Sequence, residues 1–217
     1  MREKPTAFRV LMRKTGKARA FLFGPTGTWK WTSDHDYWET HYASGGSSGE
    51  GSVGVLREAK WKVISEHVDT NAKSVLDVGC GDLSFWEGHD CREYTGIDMS
   101  ESVIGRNRNK RPTWKFIVAD AGSRLDATGQ VVLCLDILFH IMSDGTYRDV
   151  LRNLSQWTQE WLFLATWYRC PFRGSPTDGR YQYYRPLFRY LDALSPLKLV
   201  AKHTLDGMNA MYVLKRL

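Results

Sequence analysis

The segment VLDVGCGD, residues 75–82, decides how the fold is read. An apolar run broken only by Asp77 gives way to glycines at 79 and 81, the pattern of a buried strand ending in a sharp turn. Glycine reaches positive φ without steric cost and lets backbone approach a ligand closely, and open α/β sheets bind ligands beyond the carboxyl ends of their strands. A G-x-G alone is weak evidence, and a dinucleotide fingerprint requires a third glycine where Ser84 stands.

The same pattern recurs downstream. Twenty-one residues after Asp77 comes YTGIDMS, a second apolar run ending in Asp98, where a carboxylate can accept both hydroxyls of a ribose. FIVADAG places Asp120 after a third run, and LCLDILFHI places Asp136 and His140 after a fourth. Four strands ending in Asp77, Asp98, Asp120 and Asp136 would line one rim with carboxylates. We read strands at 74–78, 94–97, 114–119, 131–135 and 161–166, then 197–204 and 210–215 joined by DGMN as an antiparallel hairpin. Helices are expected at 55–68, at 101–108 after an N-capping Ser100, and at 145–159. The expected fold is α/β: a seven-stranded, mainly parallel sheet with helices on both faces and a final antiparallel hairpin.

With 217 residues, 42% of them hydrophobic, the chain suits one domain. It shows neither an apolar run of spanning length nor a signal-peptide core, so a cytoplasmic protein without membrane contact is expected. Cys80, Cys91, Cys134 and Cys170 fall singly, which favours neither disulfides nor a structural metal. Of the net charge of +6, residues 1–30 hold +7, leaving −1 for the rest. Residues 1–36 therefore read as a basic arm: a solvated extension, a contact for nucleic acid, or an organellar presequence. Residues 168–186, YRCPFRGSPTDGRYQYYRP, read as an insertion on the ligand side of the sheet.

From residue 38 onward, the D-x-G-x-G segment with its train of strand-ending acids resembles the class I S-adenosylmethionine-dependent methyltransferases. The resemblance implies that Asp77, Gly79, Cys80 and Gly81 wrap the methionine part of the cofactor and that Asp98, with Met99, holds the ribose. It further implies that Asp120 and Ala121 meet the adenine and that the segment from Asp136 to His140 lies beside the sulfonium. The expected cofactor is S-adenosyl-L-methionine. One departure is Leu83, where many members carry a third glycine; another is the short space left for a helix before CREYTG.

Each candidate also has a plainer reading. Asp77, Asp98, Asp120 and Asp136 could cap turns or helices. His140 is the best candidate base, with Asp136 as its catalytic companion, yet a core histidine reads equally well. Trp38, Phe139, Trp167, Tyr168, Arg169 and Tyr183 are candidates for the acceptor side, and Tyr181, Tyr184, Arg180 and Arg185 could stack on a ring or simply pack the insertion. Trp29, Trp31, Trp157 and Trp161 read as core or support.

The leading function is methyl transfer to an O or N nucleophile of a small-molecule, glycan or peptide-like acceptor. DILF stands where amino-methylating nucleic-acid enzymes carry an N/D-P-P-Y/F tetrad. The alternatives are an RNA or DNA methyltransferase using the basic arm and an inactive binding protein with the same fold. A dehydrogenase is disfavoured by the glycine pattern.

HYASGGSSGEGSVG, residues 41–54, could be a slack connector or a lid over the cofactor. With no Lys-Ser/Thr after the glycines it is no P-loop. The lid reading uses Tyr42 and Ser52 as cofactor contacts, Ser52 also serving as N-cap of the next helix, and Gly49 and Gly51 for close backbone approach.

Overall fold

The alternation of apolar residues along the strands sets up two cores, one on each face of a single sheet. Val75, Val131, Leu133, Phe163, Met211 and Val213 face one way, into a cluster with Trp61, Ile64, Val103 and Ile104. Leu76, Val132, Cys134, Leu162, Leu164 and Leu214 face the other, into a cluster with Tyr147, Val150, Leu151 and Leu154. A strand period of two, with apolar side chains at both parities, requires a covering layer on each side. The structure, a computed structural model, describes residues 33–178 and 180–217. The basic stretch 1–30, Trp29 and Trp31 lie outside the described residues.

The sheet has the order β3-β2-β1-β4-β5-β7-β6, from β1 (Ser74–Val78), β2 (Glu93–Asp98), β3 (Lys115–Val118), β4 (Gly129–Leu135), β5 (Thr158–Trp167), β6 (Lys198–Thr204) and β7 (Asn209–Lys215). The first five pair in parallel, and β7 runs antiparallel to both β5 and β6. The chain winds outward from β1 to β3 and then returns to β4 on the other side of β1. This switch point opens a crevice between the carboxyl ends of β1 and β4.

Four α-helices flank the sheet among the described residues: α1 (Asp34–Ala43), α2 (Gly54–His67), α3 (Glu101–Lys110) and α4 (Asp144–Trp157). No described helix is long and apolar enough to cross a membrane. Ser33, Ser100 and Ser143 cap α1, α3 and α4, each hydroxyl accepting a backbone N–H of the first turn. α1 takes in residues 34–36, which the sequence reading assigned to the arm.

Two expectations are corrected. The helix expected at 145–159 ends at Trp157, because Thr158 and Gln159 already belong to β5. Ser52 is not an N-cap: Val53 caps α2 without a side-chain bond, and Ser52 lies in a 3-10 turn at Glu50–Ser52. On α2, Val55 is 85% exposed while Lys60 is 1% exposed, so the buried stripe includes a lysine that the apolar pattern passes over.

The short link between β1 and β2 holds only a 3-10 turn, Ser84–Trp86. Bulk replaces the helix there. Trp86 is fully buried, and Phe85 stacks on Trp61 of α2 with ring centroids 4.8 Å apart. Leu83 carries the turn in the left-handed region (φ 66°), the conformation that a glycine would adopt without strain, and buries its side chain.

Candidate functional site

The loop after β1 is built from backbone. The N–H groups of Gly79 and Cys80 both donate to the Ile97 carbonyl, at 2.8 and 3.0 Å, tying the loop to β2. Gly79 and Gly81 have φ of 74° and 53°. A Cβ at Gly79 would strike Ile137, and one at Gly81 would strike the Ser48 hydroxyl. The Cys80 side chain packs into the core, leaving only its backbone on the loop.

Asp98 ends β2 at the rim, one carboxylate oxygen accepting Gly81 N–H and the other Ser100 N–H, both at 3.0 Å. Burial raises its pKa despite these bonds. The Met99 N–H acts on the same carboxyl, and the two oxygens together still retain acceptor capacity for a hydroxyl. Met99 is half-buried beside it. Asp120 is exposed beyond β3 and accepts Gly122 N–H at 2.7 Å, the ordinary Asx turn that was its plainer reading, with Ala121 half-buried next to it.

Asp77 departs from the expected rim of carboxylates. It lies one residue short of the end of β1 and shares the facing of Val75, so it points into the core. One of its oxygens accepts both Trp86 Nε1–H (2.8 Å) and Tyr94 O–H (2.9 Å). Burial pushes its pKa up to about 6. Asp77 thus ties the β1–β2 link from inside.

The glycine-rich stretch is docked on this loop. Ser48 O–H donates to Asp82 at 2.7 Å, Asp82 N–H donates back to the same hydroxyl at 2.9 Å, and the Tyr42 hydroxyl lies 3.2 Å from it. Burial works to raise the Asp82 pKa, but bonds from Ser48 and Ser84 outweigh it and hold the carboxyl below its usual range. Nearer α2, the buried Lys60 ammonium donates to the Gly51 carbonyl at 2.7 Å and pairs with the Asp136 carboxylate. A Cβ on Gly51 would run into that carboxylate. Asp136 sits just past β4 at φ 62°, strained for a residue with a side chain. Ser52 is half-buried in the same turn. α1 is fastened too: Glu39 accepts from the Ser100 and Ser102 hydroxyls, and Asp34 accepts Met142 N–H.

Across the rim lies an aromatic cluster. The His140 ring meets Trp38 edge-on (4.9 Å), contacts Phe139 (4.5 Å) and stacks on Tyr181 (5.5 Å), while Phe139 stacks on Trp167 at 4.1 Å. His140 Nδ1 lies 3.2 Å from the Tyr181 carbonyl. A carbonyl only accepts, so Nδ1 carries the proton and Nε2 the lone pair. Burial lowers the His140 pKa to about 4.

Tyr168, Arg169 and Tyr183 adjoin this cluster, Tyr183 through its backbone N–H to the Phe139 carbonyl, but the two tyrosine rings are engaged by cations. Lys202 lies over the Tyr168 ring at 4.5 Å, and the exposed Arg169 lies over it at 5.1 Å. Tyr183 is covered by Arg185 at 4.0 Å. Arg185 is itself 4% exposed and donates to Asp144 and to the carbonyls of Ile141 and Met142. Arg185 and Tyr183 therefore pack the insertion against the body. A separate depression of about 410 Å³, lined by residues including Ser155, Thr158, Pro196 and Arg216, lies at the start of β5, the opposite end of that strand from the rim.

The sequence reading missed Ser48, Asp82, Lys60, Glu39 and Asn107, whose amide donates to the Gly81 carbonyl at 2.6 Å. Only Lys60 had a visible signal, a lysine four residues after Leu56 and four before Ile64 on the apolar stripe of α2.

No protein-family model matches the chain, and no curated protein matches it. Among solved structures it is similar to magnesium protoporphyrin IX methyltransferase (ChlM) from Synechocystis PCC 6803 with bound SAH: TM-score 0.61, 17% identity, 85% of this chain and 100% of that one. N-methyltransferase NodS from Bradyrhizobium japonicum WM9, in complex with S-adenosyl-l-homocysteine, gives 0.63 at 14% identity over 85% and 99%. The [4+2]-cyclase SpnF gives 0.64 at 12% identity over 86% and 97%. At such identities the likeness is one of fold, the class I methyltransferase fold, in which S-adenosylmethionine and its product are bound. That a cyclase shares it leaves function to be argued from the site.

Proposed function

We propose that this chain, built on the class I methyltransferase fold, binds S-adenosylmethionine between the carboxyl ends of β1 and β4 and transfers its methyl group to a small-molecule acceptor. The observation that carries the reading is the glycine cradle. Gly79 and Gly81 hold positive φ where a Cβ would collide, directly beside an Asp98 carboxylate with acceptor capacity to spare. Gly79, Gly81 and the Cys80 backbone would border the methionine part, and Asp98 the ribose. The bound cofactor supplies an activated methyl on a sulfonium, whose bonding electrons stay on sulfur when the methyl leaves.

The chain's own task is then to orient the acceptor and exclude water. α1 and residues 44–52 do the excluding, fastened through Glu39, Ser48 and Gly51. His140, neutral at pH 7, presents the Nε2 lone pair as a hydrogen-bond acceptor that can orient an N–H of the methyl acceptor, whose proton is shed to solvent after transfer. With its pKa near 4 it is a weak base. It suits an acceptor that attacks before losing its proton, such as a neutral amine or ring nitrogen, rather than an un-ionised alcohol.

Titration calorimetry with S-adenosylhomocysteine tests the reading. We expect saturable binding that Asp98→Ala weakens at least tenfold, as befits the loss of a charged hydrogen-bond acceptor. An absence of binding at millimolar ligand would refute the enzyme reading and leave a binding protein on the same fold.

A further inference from the structure

The insertion between β5 and β6 folds into a small hairpin. Thr177 bridges to Tyr183 in antiparallel fashion, and the Asp178 carboxylate caps the tip by accepting the N–H groups of Arg180, Tyr181 and Gln182 at 2.8 to 3.1 Å. The base of the hairpin is secured by Tyr183 N–H donating to the Phe139 carbonyl at 2.7 Å and by Arg185 beneath it.

The hairpin delivers one ring into the aromatic cluster. Tyr181 stacks on Tyr37 of α1 (4.5 Å, planes 14° apart) and on His140 (5.5 Å, 6° apart). Both contacts are near-parallel, although edge-on arrangements are equally available to isolated ring pairs. Tyr37 comes from the helix that closes the site, and His140 from the segment beyond β4 that carries the candidate base. A flat ring from a surface hairpin thus lies against the two elements that an acceptor has to meet.

We propose that the Tyr181 ring occupies the acceptor position as a displaceable plug, and that the acceptor is a planar aromatic or heteroaromatic small molecule that stacks on Tyr37 and His140 in its place. The assignment of this position to an acceptor rests on the methyltransferase reading above. A nucleobase within a nucleic acid would offer the same flat face, but the acids of α1 and the hairpin (Asp34, Asp36, Glu39 and Asp178) equal in number the insertion's arginines (Arg169, Arg173, Arg180 and Arg185), so these elements offer no net positive charge. That balance opposes a phosphate backbone.

The probe is 2-naphthol, titrated into the full chain and followed by its fluorescence, with decahydro-2-naphthol as a neutral, saturated counterpart read by calorimetry. We expect Tyr181→Ala to bind 2-naphthol roughly three- to tenfold more tightly than the wild type, the worth of one displaced ring stack, with no gain for the saturated alcohol. Tyr37→Leu should lose that gain in the Tyr181→Ala background. Tyr181→Ser, which like Tyr181→Ala keeps the main-chain carbonyl that meets His140, guards against misfolding of one variant and should behave as Tyr181→Ala does. Equal affinity of wild type and both variants for 2-naphthol, or an equal gain for both alcohols, would overturn the plug. Tyr181-dependent binding of a single-stranded oligonucleotide but not of 2-naphthol would overturn the small-molecule class. S-adenosylhomocysteine calorimetry on the same samples reads the cofactor reading separately; if that ligand fails to bind, the assignment to an acceptor falls with it, whatever the naphthol result.

Discussion

Lys60 and Asp136, 76 residues apart in sequence, form an ion pair beneath the glycine-rich segment, and the same ammonium holds the Gly51 carbonyl. Helix α2, the glycine-rich segment and the end of β4 thereby meet at one nitrogen. Removing one member of a buried pair leaves the other uncompensated, whereas replacing both with neutral groups of similar shape is far less harmful. Lys60→Met should destabilise the protein by about 2–4 kcal/mol in denaturant titration, and Lys60→Met with Asp136→Asn should recover part of that loss. Additive losses would show that the pair is not a unit.

Gly81→Ala should undock the closing segment, since the new methyl strikes Ser48 and the backbone holds φ 53°. We expect faster proteolysis within residues 42–54 and weaker binding of S-adenosylhomocysteine, with the cores intact by near-ultraviolet dichroism. Wild-type cleavage rates would refute the docking role of this glycine.

S-adenosylhomocysteine should protect residues 42–54 of the wild type from the same protease. Equal cleavage with and without it would return the segment to the status of a connector.

Two buried groups tilt stability with pH in opposite directions. Asp77 titrates near 6 in the fold against about 3.9 unfolded, so the folded state holds the extra proton and stability falls as pH rises from 4 to 6. His140 titrates near 4 against about 6.5 unfolded, so stability falls as pH drops from 6.5 to 4. Relative to wild type, Asp77→Asn should gain on the order of 2 kcal/mol between pH 4 and 6, and His140→Gln should gain a similar amount between pH 6.5 and 4. Parallel stability curves for wild type and variant would show that the residue does not titrate as described.

The amino-acid sequence carried most of the scaffold. All seven strands fall within three residues of their expected ends, because uninterrupted apolar runs bounded by glycine, acid or turn residues admit little else. Glycines 79 and 81, the serine cap at 100 and the acid ending β2 were equally legible, being local demands of backbone geometry. Ser52 does not serve as the cap, because a 3-10 turn takes up Glu50–Ser52 and leaves Val53 as the residue before α2.

The site itself was decided in three dimensions. Asp77, Asp98 and Asp136 look alike in sequence, yet one points into the core to meet Trp86 and Tyr94, one stays at the rim, and one is claimed by a lysine from another element. A residue's facing follows from strand register and its partners from packing, and neither is a property of neighbours along the chain. The same holds for Tyr181 and Arg185, two members of one aromatic and basic insertion. Folding sends the first against Tyr37 and His140 and buries the second as an anchor, because only the docked hairpin determines which side chain meets α1 and the segment after β4 and which is buried against the body.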